Sequence, residues 1–233
     1  MNDKVEGFVL SQSDYKEADV LMQVMTREYG IISLVGKAAK KLSSKNHFLP
    51  MCVYEFIIDY KEGKTIFSVH GYKLLRKFFD DDNIAMMTFR NILAELVLKN
   101  RDIDCYDELL FVFDRLEEGN RYLLGSMFVS YLAKRFGVSP EVDGCVICGN
   151  TSVVSVSNRD GGFLCHDHLG GNEALSVERL KKFRMIVKAT FDNYDVLKQF
   201  DYDSRDFDLI LSFFLDNSDL KLKSYELYKA LNI

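Results

Sequence analysis

Two short clusters of cysteine and histidine constrain this chain more than any other feature of its sequence. Cys145 and Cys148 form a Cys-x-x-Cys pair, and Cys165-His166-Asp167-His168 follows after sixteen residues. Three cysteines and one histidine make a complete tetrahedral ligand set for a metal such as zinc. The residues between the clusters contain Asn158-Arg159-Asp160-Gly161-Gly162 and are typical of a hairpin with a glycine turn. The pattern therefore predicts a zinc-ribbon-like element at 141–171.

The predicted metal ligands are the three cysteines of these clusters and one histidine: Cys145, Cys148, Cys165 and His168. His166 is the alternative fourth ligand. Four protein ligands leave no position for water or substrate, so the predicted Zn²⁺ is structural rather than catalytic. The alternative interpretation is a set of reduced, packed cysteines beside exposed histidines. The two other cysteines, Cys52 and Cys105, lie in apolar or helical contexts and are predicted to be small buried side chains.

The hydrophobic periodicity changes along the chain and predicts an α+β fold. Residues 1–80 contain short runs rich in β-branched and aromatic residues, separated by turn signals such as Lys61-Glu62-Gly63-Lys64. Five strands in about 70 residues, with a long polar loop before the fourth, predict a small closed barrel of the OB type. From residue 83 onward the apolar residues recur at helical spacing.

We therefore expect an N-terminal OB-like β-barrel followed by a mostly helical domain that carries an inserted zinc-ribbon-like element. The expected boundaries are 1–80 for the OB-like barrel, 81–140 with 172–233 for a helical bundle, and 141–171 for the zinc element. Helices are expected at 105–120, 120–138, 175–191, 206–217 and 223–232, among others. Ser176 is the predicted N-cap of the helix that follows it. The helix at 120–138 is apolar on nearly all sides and is expected at the centre of the bundle.

The charge is unevenly distributed along the chain. The formal net charge of −5 argues mildly against a nucleic-acid partner. Residues 1–80, however, carry ten Lys and two Arg against ten acidic residues, which gives +2, and the remainder is −7. Segment 27–45 alone holds five basic side chains against Glu28. Any anion-binding surface is therefore expected in the barrel, near this segment.

The sequence offers little support for an enzyme or a membrane protein. It contains no G-x-S-x-G, P-loop or H-E-x-x-H motif and no His-x-Glu that would accompany a zinc deaminase. The N-terminus MNDKVEGFVL is mixed and charged, and no apolar run approaches the ~20 residues that span a bilayer. We therefore expect an intracellular protein. Asp80-Asp81-Asp82 is expected to be a solvated linker.

Several stretches resemble the RecO family of bacterial recombination mediators. The longest is VEGFVLSQSDYKEADVLMQVMTREYGIISLVGKAAKKLSSK, at the N-terminus. FGVSPEVDGCVICG, the Gly161-Gly162 pair before Cys165, and LKSYELYKAL near the C-terminus follow in the family's order. The resemblance covers essentially the whole chain. Two departures stand out. The second metal pair of the family is usually Cys-x-x-Cys and here ends in His168. Gln12, Glu17 and Ala39 stand where the family often has basic residues, so this barrel is less basic.

The resemblance implies a non-enzymatic protein of recombinational DNA repair, cytoplasmic and associated with the nucleoid. Such a protein binds single- and double-stranded DNA, anneals complementary strands, engages RecR and the single-strand-binding protein SSB, and so helps to load RecA. Cations that follow phosphates are the usual means by which small barrels bind single strands. The predicted phosphate contacts are eight of the basic residues in this region: Arg27, Lys37, Lys40, Lys41, Lys45, Lys73, Arg76 and Lys77.

Two other functions remain open from the sequence. The first is a zinc-ribbon adaptor that binds proteins and makes no direct contact with DNA. The second is a hydrolase that acts on nucleic acid. The second would need carboxylates near the basic loop, and only Glu55 and Asp59 are candidates, on a barrel strand where they are expected to face solvent.

Overall fold

The computed structural model describes residues 3–40, 47–78 and 83–231. The chain forms two compact units, Met1–Asp114 with Leu222–Ile233, and Arg115–Lys221. The domain boundaries expected from the sequence lie where one type of secondary structure gives way to another, whereas these units are defined by their internal contacts. Those boundaries therefore stay a prediction. The expected linker at Asp80-Asp81-Asp82 lies outside the described residues.

The first unit contains a five-stranded barrel. Its strands are β1 (Asp3–Tyr15), β2 (Asp19–Thr26), β3 (Gly30–Gly36), β4 (Cys52–Ile58) and β5 (Ile66–Lys77). They close in the order β1-β2-β3-β5-β4, with β3 and β5 parallel and all other neighbours antiparallel. This is the strand count and closure of an OB-like barrel, so the predicted fold is confirmed.

The barrel core follows the two-residue period of its strands. Alternate residues of β2 and β3 are buried inside it: Met22, Val24, Ile32 and Leu34. Phe48, which precedes β4, closes one end of the barrel, with its ring centroid 4.5 Å from that of Tyr72. A Cβ atom at Gly36 would collide with the Phe48 ring, so the end of β3 requires glycine.

Seven α-helices occur in the described residues. They are α1 (Ile84–Lys99), α2 (Tyr106–Arg115), α3 (Arg121–Phe136), α4 (Val177–Lys188), α5 (Tyr194–Leu197), α6 (Ser204–Ser218) and α7 (Lys223–Ala230). The predicted helix at 105–120 is shorter than expected, because α2 ends at Arg115. The side chain of Asn120 accepts from the Glu117 N–H and donates to the Arg115 carbonyl, at 2.9 and 2.8 Å. These bonds stabilise a separate 3₁₀ turn at Glu118–Asn120.

In the first unit, α7 packs on α1. The rings of Phe89 and Tyr228 lie 6.0 Å apart, edge to face. The Glu95 carboxylate accepts the backbone N–H groups of Lys223 and Ser224, at 3.1 and 2.9 Å, and the Ser224 hydroxyl at 2.6 Å. Burial acts to raise the pKa of Glu95, but these hydrogen bonds outweigh it and lower the pKa. An anion at the N-terminus of α7 also complements the helix dipole.

The second unit is built around α3, whose middle is buried on nearly all sides. α3 ends at Gly137, which has a φ of 82° in the left-handed region where glycine is favoured. Ser176 caps α4 as predicted, because its hydroxyl accepts the Arg179 N–H at 3.2 Å. Both α4 and α6 pack against α3, so α3 has the central place expected from its composition.

An ion-pair network joins α4 to the start of α6. The Arg179 guanidinium lies 3.0 Å from the carboxylate of Asp203 and 2.5 Å from that of Asp206. The Lys182 ammonium lies 3.3 Å from the Asp206 carboxylate. Asp203 is the N-cap of α6 and forms a capping box with Asp206. Hydrogen bonds and charge from Arg179 outweigh the effect of burial and hold the pKa of Asp203 well below its usual range. The network therefore fixes the position of one helix end against the side of another.

Candidate metal centre and nucleic-acid surface

The first cysteine pair lies on a tight turn. The Gly149 N–H donates to the Cys145 carbonyl at 2.7 Å, and the Cys145 N–H donates to the Asn150 carbonyl at 2.9 Å. Gly149 has a φ of 75°, in the left-handed region that glycine adopts without strain. The turn brings the sulfur atoms of Cys145 and Cys148 to the same side of the chain.

The second pair follows a hairpin. β6 (Val153–Ser157) pairs antiparallel with β7 (Gly162–Cys165), as the glycine turn predicted. The backbone of Glu141 lies across the start of β7. Its carbonyl accepts the Phe163 N–H at 3.0 Å, and its N–H donates to the Gly161 carbonyl at 2.9 Å. A Cβ atom at Gly162 would collide with the Glu141 backbone, so only glycine permits this close approach. The backbone before the Cys145–Cys148 turn is thereby fixed against the hairpin that leads to Cys165.

The structure brings together the four predicted ligands Cys145, Cys148, Cys165 and His168, whose ligand atoms lie within 4.8 Å of one another. The Cys148 and Cys165 sulfurs are 3.7 Å apart, and His168 Nδ1 is 3.6 and 3.3 Å from the Cys145 and Cys165 sulfurs. Tetrahedral zinc, with Zn–S of about 2.3 Å and Zn–N of about 2.05 Å, requires roughly 3.8 Å between sulfurs and roughly 3.6 Å from sulfur to nitrogen. The residues present therefore fit a zinc ion.

The surroundings of Cys145 favour its thiolate form. Burial acts to raise the pKa of Cys145, but backbone N–H groups of Cys165, Ile147 and Cys148 lower that pKa to about 6. A thiolate is the form of cysteine that binds metal. His168 rather than His166 belongs to the cluster. Cys52 and Cys105 are buried elsewhere, which confirms the prediction made for them.

The basic loop after β3 is tied to the turn between β1 and β2. The Ala38 N–H donates to the Asp19 carboxylate at 2.8 Å, and the Lys40 N–H donates to the Ala18 carbonyl at 3.0 Å. Ala38 has a φ of 55°, so the first of these bonds holds a backbone conformation that residues other than glycine seldom adopt. The loop that carries Lys37 and Lys40 is therefore fixed in place at its start.

The two described lysines of this loop, Lys37 and Lys40, are both exposed. Lys40 forms an ion pair with Asp14 at 3.3 Å and also donates to the Lys16 carbonyl at 3.2 Å. Lys41 and Lys45, the other predicted contacts of the loop, lie outside the described residues.

The two predicted arginines lie on another part of the barrel. Arg27 follows β2 at the end opposite to Lys37 and Lys40, about 23 Å away along the strand at ~3.3 Å per residue. Its guanidinium lies 2.7 and 2.9 Å from the carboxylate of Asp107 in α2. The guanidinium of Arg76 lies 2.8 and 3.1 Å from Asp114 in the same helix. The structure therefore does not bring these arginines to the lysine loop.

Lys73 and Lys77 are exposed on β5. Lys73 pairs in register with Glu55, which forms an ion pair with Lys4 at 3.3 Å. Sequence reasoning missed a further basic residue, Arg101, which follows α1 and donates to the Gln23 side chain of β2 at 2.6 Å. Only the tertiary structure brings Arg101 to the barrel surface, so no local signal could have found it.

Comparison with known proteins agrees with this architecture. The N-terminal family model "Recombination protein O N terminal" matches residues 1–78, and "Recombination protein O C terminal" matches 80–225. The chain belongs to the RecO family. A DNA repair protein RecO from Lactobacillus helveticus is 27% identical over 180 residues, covering 71% of this chain and 70% of the relative. One from Lactobacillus delbrueckii subsp. bulgaricus is 30% identical over 180 residues, with 70% of each chain covered.

A third relative, the DNA repair protein RecO of Listeria welshimeri, is 27% identical over 172 residues and is covered over 68% of its length. Membership of the RecO family implies a role in DNA repair and recombination. Among the described residues, no helix of this RecO-family protein has the length and apolar character needed to cross a membrane.

Proposed function

We propose that this protein is a non-enzymatic recombination mediator. It binds single- and double-stranded DNA, anneals complementary strands and acts with RecR to load RecA on single strands that SSB covers. Its place of action is the bacterial cytoplasm, at the nucleoid. The observation that carries this proposal is an OB-like barrel, in a RecO-family chain, with a basic loop fixed against the β1–β2 turn.

Annealing by such a surface requires no covalent chemistry. Two complementary strands repel each other through their phosphates, and lysines that neutralise this charge let the bases pair. Lys37 and Lys40 are the proposed centre of the surface, and Lys41, Lys45, Lys73 and Lys77 stay predicted contacts. Binding releases counterions, so affinity should fall steeply with salt. Arg27 and Arg76 stay predicted contacts, and DNA would have to displace Asp107 and Asp114 to reach them.

We also propose that Cys145, Cys148, Cys165 and His168 hold a structural Zn²⁺. The ion would join the Cys145–Cys148 turn to the β6–β7 hairpin, and its binding free energy would become folding free energy of the second unit. The fit of the ligand-atom distances to tetrahedral coordination supports zinc.

A zinc-ribbon adaptor that binds only proteins is the competing proposal, and DNA binding separates the two. The experiment is fluorescence anisotropy of labelled single-stranded DNA across a salt series, with the wild type and a Lys37→Glu/Lys40→Glu variant. Lys221→Glu/Lys229→Glu, which reverses two other exposed lysines, is the matched control for net charge.

The mediator proposal expects binding that weakens with salt, strong loss in the Lys37/Lys40 variant and little change in the control. A wild type that fails to bind at low salt would favour the adaptor. Equal losses in both variants would show that net charge, and not the loop, governs binding.

A further inference from the structure

The outer face of β2 and β3 presents a polar pair at its centre. Because Met22 and Val24 point into the barrel core, Gln23 between them points outward. Gln23 pairs in register with Ser33 of β3, and their side chains are hydrogen-bonded at 3.0 Å. OB barrels bind oligonucleotides on the face of strands 2 and 3 and on the loop between strands 1 and 2. The Gln23–Ser33 pair therefore lies where this barrel type binds a strand.

The loop between α1 and α2 places an arginine on this face. Arg101 donates to Gln23 Oε1 at 2.6 Å. The loop is fixed on both sides of Arg101: the Ile103 N–H donates to the Asn100 carbonyl at 3.0 Å, and the Cys105 sulfur lies 3.9 Å from that of Met25. A guanidinium held in this way loses little conformational entropy when it binds an anion.

Arg101 differs in its partners from the two arginines predicted as DNA contacts. Arg27 and Arg76 each bind a carboxylate of α2. Arg101 is exposed, and within residues 3–40, 47–78 and 83–231 no carboxylate pairs with it. Its positive charge therefore remains available to a phosphate, and its planar fork of five donors suits that group.

A second cation lies at the end of the same face. Lys16, in the β1–β2 turn, is exposed, and its ammonium lies 5.3 Å from the centroid of the Tyr15 ring. From Asp19 at the start of β2 to Gln23 is about 13 Å along the strand. One strand of the ~4–16 nucleotides that an OB barrel covers would span both positions.

We propose that Arg101 is a phosphate contact for single-stranded DNA, which runs across the outer β2–β3 face from the turn at Lys16 to Arg101. Gln23 is a positioning residue that orients the guanidinium. This inference rests on the proposed function, and it extends the DNA surface from the barrel loops to the segment between α1 and α2.

The test measures the affinity for a labelled oligothymidylate of about 20 nucleotides as a function of salt, for the full chain and its Arg101→Gln and Arg101→Lys variants. Lys229→Gln, an exposed lysine of α7, is the control that removes the same charge. Thermal unfolding of each variant shows whether the fold is kept. Arg101→Gln is expected to weaken binding about tenfold, the value of one charged hydrogen bond. The slope of the logarithm of the binding constant against the logarithm of the salt concentration should become shallower by about 0.7, the contribution of one phosphate in a single strand.

Arg101→Lys keeps the charge and should restore most of the affinity, which a purely structural role for the Arg101–Gln23 bond would not predict. If the wild type binds and Arg101→Gln behaves like Lys229→Gln, with the same salt slope, the inference is wrong and the proposed function stands. If the wild type does not bind DNA at all, the inference about Arg101 and the proposed function are both wrong.

Discussion

The ion-pair network between α4 and α6 allows the stability of the second unit to be perturbed by a calculable amount. Replacing Arg179 by Met keeps much of the side-chain volume and removes both its ion pairs. The side chain of Asp206 is only 5% exposed and that of Arg179 19%, so these charges are shielded from water. Breaking a buried pair by removing one partner costs about 3–5 kcal/mol. Because Lys182 still lies 3.3 Å from Asp206, we expect the lower end, about 3 kcal/mol.

The effect should depend on pH in one direction. Arg179 depresses the pKa of Asp203 in the folded protein. The stability that this pair contributes is therefore present above the unfolded pKa of about 3.9 and is lost as the pH falls through the lower folded value. The difference in the free energy of unfolding between wild type and Arg179→Met should be constant near neutral pH and should become smaller below about pH 4.

Urea unfolding at several pH values, followed by circular dichroism, measures both effects. Lys198→Met is the control, because Lys198 pairs with an Asp195 side chain that is 81% exposed, and ion pairs screened by water contribute little to stability. The argument that burial makes the loss of this pair costly is refuted by either of two results. In the first, Arg179→Met lowers the free energy of unfolding by less than about 1 kcal/mol. In the second, it lowers that free energy by no more than the control does.

Two further predictions concern the metal centre. Gly162→Ala should destabilise the second unit, because its Cβ atom would meet the Glu141 backbone; Gly171→Ala, where no atom lies near, is the control in thermal unfolding. Cys165→Ser should abolish stoichiometric zinc, measured by atomic emission, whereas His166→Ala should retain it; loss of zinc in both variants would contradict the assignment of His168.

The metal cluster and the barrel were predictable because each depends on local patterns. Cysteine spacing and a glycine turn predict the Cys145 and Cys165 pairs, and alternation of apolar residues predicts the strands. The partners of Arg27 and the position of Arg101 were not predictable. Asp107 lies 80 residues beyond Arg27, and Gln23 lies 78 residues before Arg101. Such contacts depend on how helices pack on the barrel, which the periodicity of one segment does not encode.

The pairing of α7 with α1 has a consequence for the synthesis of the chain on the ribosome. The first unit needs Leu222–Ile233, so it cannot be completed until the whole of Arg115–Lys221 has been translated. At about 5–20 residues per second this interval lasts on the order of 5–20 s. Meanwhile Phe89 has no Tyr228 to pack against, and Glu95 has no helix N-terminus to cap. On the nascent chain, α1 therefore exposes for seconds the apolar surface that α7 later covers.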